Sequence, residues 1–129
     1  MANSNNNVHL LTIPGRLPGA NEWIDAERAS RHKAAKMKAE VQARITLYIR
    51  KDLRGVKFTR PVMMAYTWVE KDRRRDKDNI AFARKFIQDA LVNAGTLKDD
   101  GWNYVADFSD EFKVEKNKAR VEVRIWESD

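Results

Sequence analysis

The stretch "RRRDKDN", Arg73 to Asn79, sets Asp76 and Asp78 one residue apart directly behind three arginines. Carboxylates that close repel each other, and a hard divalent cation relieves that repulsion. Mg²⁺, or Mn²⁺ in its place, takes oxygen ligands, keeps several waters and needs only a few acids. A metal held there can activate water and stabilise charge during phosphodiester hydrolysis. Asp99 and Asp100 lie downstream in "KDDGW" and could return a further acid to the same place. The arginines Arg73, Arg74 and Arg75 then read as phosphate contacts. The same residues have a plainer reading. Asp78 can cap a helix and Asp99–Asp100–Gly101 can make a turn. The arginine run can be a solvated loop.

A helix is predicted from about Asp78 to Ala94, ended by Gly95 as its C′ residue. Its apolar stripe runs through Ile80, Ala83, Phe86, Ile87, Ala90, Leu91 and Ala94. At 100° per residue, Asp78, Lys85 and Asp89 share the opposite face within about 40°. Lys85 is therefore a candidate to bind the scissile phosphate or stabilise its charge. Upstream, "VHLLTIPG" reads as a first strand and "RPVMMAYTWVE" as a second, apolar on both faces and hence central. Between them, about Glu22 to Lys51 contains no Pro or Gly and reads as one long helix. The C-terminal alternations around Phe112–Val114 and Val121–Ile125, joined by "KNKA", predict a hairpin. The order β–α–β–α–β–β implies an α+β fold: a small mixed sheet covered by two main helices.

The 129 residues suit one domain, here residues 9–129 behind a polar tail at residues 1–8. Twenty-five Lys and Arg against 19 Asp and Glu give a net charge of +6, which favours a polyanionic partner. With no cysteine, disulfides, thiolate zinc sites and a cysteine nucleophile are excluded, and a cytoplasmic setting is expected. No apolar run is long enough to span a membrane, so no membrane partner is expected. His9 and His32 are isolated and receive no chemistry. The four tryptophans read as core or interface, with Trp102 set apart by its position beside the acids.

Taken in order, "RRRDKDN", "QDALVNAG" and "KDD" resemble the RusA-type Holliday junction resolvases, crossover junction endodeoxyribonucleases of bacteria and prophages. "LTIPGRLPGAN" is similar to that family's first strand and Pro-containing loop, through Pro18 and Asn21. The resemblance implies a homodimeric, Mg²⁺-dependent nuclease of DNA recombination and repair that cuts four-way junctions by paired symmetric nicks. By the same resemblance Asp76, Asp78 and Asp100 are the metal-binding and catalytic acids. Asn79 joins Arg73, Arg74 and Arg75 in contacting DNA. The family lysine, counted forward from Asn79, falls on Phe82; counted back from Asp-Ala-Leu, it falls on Lys85. A bacterial or phage-encoded, nucleoid-associated protein follows. Two other classes fit the composition: a non-catalytic basic DNA-binding protein and a protein-interaction module.

Overall fold

The computed structural model describes residues 7–128. Most of the polar tail expected at residues 1–8 lies outside them. The elements run β1 (His9–Pro14), α1 (Ala20–Ala29), α2 (Arg31–Asp52), β2 (Val62–Glu70), α3 (Lys77–Ala81), α4 (Arg84–Asn93), β3 (Val105–Val114) and β4 (Arg120–Glu127). The fold is α+β, with one four-stranded mixed sheet in the order β1-β4-β2-β3. As its two-sided apolarity requires, β2 is interior. It pairs antiparallel to β4 and parallel to β3.

The predicted C-terminal hairpin does not form. Strands β3 and β4 are adjacent in sequence, yet β2 lies between them. The reason is burial. Tyr66 and Trp68 of β2 are 1 % exposed and need strands on both sides, and Val121 and Val123 face them from β4. On the covered face Leu11, Ile13, Met64, Tyr66, Trp68, Val121, Val123 and Ile125 join the helices' Ile45, Ile49, Phe86, Ile87 and Leu91 in one core. The alternate residues Glu111, Lys113, Arg120, Glu122 and Arg124 form a ladder of ion pairs on the reverse face.

Both predicted long helices are interrupted. Ser30 is extended, and its Oγ accepts from Lys33 N at 3.0 Å, so it ends α1 and caps α2. The second helix breaks at Phe82–Ala83, where tighter bonds close the turn: Ala83 N to Ile80 O at 3.3 Å and Lys85 N to Phe82 O at 3.1 Å. The break seats Phe82 edge-on against Phe86, with ring centroids 5.8 Å apart. Its other end matches expectation, since Gly95 takes φ 81° just past α4. No helix among the described residues is long and apolar enough to cross a membrane.

Candidate active site

Past the C-terminal end of β2 the chain turns through Asp72–Arg75 into the short helix α3. An open cleft of about 650 Å³ lies there, lined by Asp72, Arg73, Arg75, Asp76, Lys77, Asp78, Ile80 and Phe112. Asp76 stands at the N-cap position of α3, but its side chain makes no capping hydrogen bond. Asp78 lies in the first turn of α3 and accepts only from the backbone N–H of Asn79, at 2.9 Å. Neither carboxylate forms an ion pair among the described residues. The capping role that the sequence allowed therefore does not occupy these acids.

What holds the loop is Arg75. Its Nε and Nη2 donate to the two carboxylate oxygens of Glu70 at 3.0 and 2.7 Å, and Nη1 donates to Leu17 O at 3.0 Å. A bidentate Arg–carboxylate pair fixes geometry as well as adding attraction, and both side chains are 11 % exposed. Arg75 is thus a structural bolt with little guanidinium left for a phosphate. Arg73 and Arg74 are exposed. Arg74 lies 3.6 Å from Asp72 at the surface, a weak contact. Replacing Arg73 and Arg74 by Gln is expected to flatten the log K against log[salt] slope for duplex arms by roughly 0.9 per lost contact. Arg75→Gln should instead lower stability. Binding titrations across salt, paired with thermal unfolding, separate the two effects.

Asn79 is a second fastening. Its Oδ1 accepts from Asn21 N at 2.9 Å, tying α3 to the start of α1. Gly19 makes this approach possible. A Cβ there would stand 2.5 Å from Asn79 Oδ1 and 2.7 Å from the Asn79 carbonyl oxygen. Gly19→Ala is therefore expected to destabilise the fold by about 1–3 kcal/mol, read as a lower denaturation midpoint. The family-like loop at Pro18–Asn21 thus has a physical role: it buttresses the helix that carries Asp78.

Asp100 lies elsewhere. It precedes β3, whose first residue Val105 pairs with Val62 at the start of β2, whereas Asp76 and Asp78 follow the end of β2. Nine strand residues at about 3.3 Å each put roughly 25 Å between the two places. Asp100 sits with Asp89 and Asp99. Crowding by the surrounding chain, and after it those two carboxylates, raises the Asp100 carboxyl above its usual range although the residue is exposed. Among the described residues no three acidic or histidine side chains gather closely enough to hold a metal ion.

Lys85 is exposed on the first turn of α4, one turn before Asp89, and is not among the cleft residues. The helix break accounts for the difference, because the shared face with Asp78 assumed continuous winding. The cation that does line the cleft is Lys77, its Nζ 5.6 Å from the centroid of Phe112. The sequence reading passed over Lys77, although it stands between the two acids. It also passed over the support beneath them. Trp68 Nε1 donates to Asp110 at 2.8 Å, Arg84 pairs with the same carboxylate, and the Arg84 guanidinium lies 4.5 Å over the Phe108 ring.

The family model described as endodeoxyribonuclease RusA matches residues 17–126. No curated protein matches the chain.

Proposed function

From a chain that belongs to the RusA endodeoxyribonuclease family, with two uncommitted carboxylates beside exposed cations, we propose a Mg²⁺-dependent nuclease that resolves four-way DNA junctions. It nicks opposed strands symmetrically, in bacterial or phage recombination and repair, and Mn²⁺ can replace Mg²⁺. The observation that carries this reading is that Asp76 and Asp78 line an open cleft while the fold uses neither side chain. A buried network of Arg75, Glu70, Leu17, Asn79 and Asn21 holds them in position.

The donors suit a hard cation, being carboxylates with open solvent on one side. One chain supplies two of the three proposed acids. The third, Asp100, can reach Asp76 and Asp78 only from a second copy, because the length of β2 separates them within a chain. A two-fold dimer then has two complete acid sets, matching two cuts. Bound metal supplies Lewis-acid stabilisation of the phosphodiester and an activated water. Arg73 and Lys77 attract and orient the phosphate, and Arg75 keeps the loop from yielding as the polyanion arrives. The repulsion among Asp89, Asp99 and Asp100 is relieved when Asp100 meets a cation.

The test is a labelled four-way junction incubated with and without Mg²⁺. Opposed nicks that need the metal are expected. Junction DNA that is retarded but uncut under every metal condition would mark a binding protein, and no binding at all would mark a protein-interaction module.

A further inference from the structure

We propose that the two copies meet edge to edge through β3, antiparallel about a two-fold axis, and that Trp102 of each copy seats in the acid-lined cleft of the other. This deepens the functional reading above and rests on it for the meaning of the shared site.

Three observations carry the proposal. The first is the edge itself. Strand β3 is ten residues long, has a neighbour on one side only, and contains neither Pro nor Gly. After a register shift at its start, Asp107–Val114 runs regularly along β2. An exposed, regular edge of that length is a template for another strand. The opposite edge, β1, has six residues and ends in Pro14.

The second is the register. In an antiparallel pair about a two-fold axis, facing residues project to the same side of the sheet, so the axis passes through one residue and its own copy. Centring on Asp110 sets Asp107 opposite Lys113 and Phe108 opposite Phe112, each twice. Opposite charges and paired aromatics are the favourable cross-strand combinations. Phe108 is 42 % exposed in the single chain, so it gains a cover. Asp110 meets its copy already neutralised by Arg84 and bonded to Trp68. Centring on Ser109 instead would oppose Asp107 to Glu111, which is repulsive.

The third is what the pairing does at its ends. Antiparallel edges lay the start of one β3 beside the end of the other. Asp100 and Trp102 precede the start; Asp76, Asp78 and their cleft lie beyond the end. Trp102 is 98 % exposed, an unusual state for so large an apolar side chain. The cleft offers it Ile80 and Phe112, and Asp100 follows two residues behind.

The test needs neither DNA nor metal. Sedimentation of the wild-type chain should show a concentration-dependent dimer. Asp107→Lys and Lys113→Asp should each weaken it roughly tenfold, since two facing pairs turn repulsive. The double variant should return to about the wild-type dissociation constant. Trp102→Ala should weaken the dimer as well, and the wild-type tryptophan emission should shift to the blue on dilution's reverse, as the dimer forms. Circular dichroism of each variant keeps unfolding apart from dissociation. A wild-type chain that is monomeric alone and on a junction would overturn the proposal. So would a dimer indifferent to both single swaps, or one the double variant does not restore. Junction cleavage with an indifferent dimer sinks this interface and keeps the nuclease. A swap-sensitive dimer without cleavage does the reverse.

Discussion

Asp78→Asn is expected to reduce metal-dependent junction cleavage about a thousandfold, the loss that follows when several kcal/mol of metal-borne charge stabilisation disappears. The fold should survive. Asp78 contributes one contact, to the N–H of the next residue, and the Asn side-chain oxygen can accept that bond as well. Binding should hold or tighten, because one negative charge is removed from a surface that meets phosphates. A gel shift, a cleavage assay and a thermal melt on a single preparation give all three readouts. Cleavage at the wild-type rate would remove Asp78 from the site. Lost cleavage together with a lowered melting temperature would make it structural.

Two inactive variants should rescue each other. In Asp78→Asn and in Asp100→Asn alike, every homodimer has two broken acid sets if each set draws on both copies. Mixed and allowed to exchange, about half of the dimers become heterodimers. Each heterodimer gathers both substitutions into one set and leaves the other intact. The mixture should thus recover about a quarter of wild-type nicking, as single nicks that leave the junction unresolved. If the three acids worked within one chain, each chain of the heterodimer would still be broken and the mixture would stay silent. The roughly 25 Å between Asp100 and Asp78 along the sheet makes the first outcome the expected one.

The central place of β2 was legible because a strand with apolar residues on both faces has no solvent side to offer. The end of α4 was legible because Gly95 alone there takes a positive φ. The breaks were not. Ser30 is an ordinary residue for a helix surface until its hydroxyl turns to cap α2. Phe82 and Ala83 carry no breaker signal, and the turn there is set by where Phe86 lies in the core. The hairpin was misread because alternation reveals strands but not their neighbours. Asp76 and Asp78 could be picked out by spacing, whereas the internal engagement of Arg75 could not. Its partners Glu70, Leu17 and Glu22 come from three separate segments. Lys85 was placed by a helical wheel that the bend at Phe82 invalidates.

The sheet order also governs when the chain can fold. Strand β1 has β4 as its sole neighbour, and β4 is the last element to be made. On the ribosome, Leu11 and Ile13 therefore wait unpaired until Arg120–Glu127 has emerged. A quick local pairing of β3 with β4 would block the slot that β2 must occupy, and it has to be undone before closure. Such a chain folds late and slowly for its length, because the contacts that complete it join its two ends. Loss of the last strand would strand the first, leaving an apolar edge open to chaperones or to aggregation.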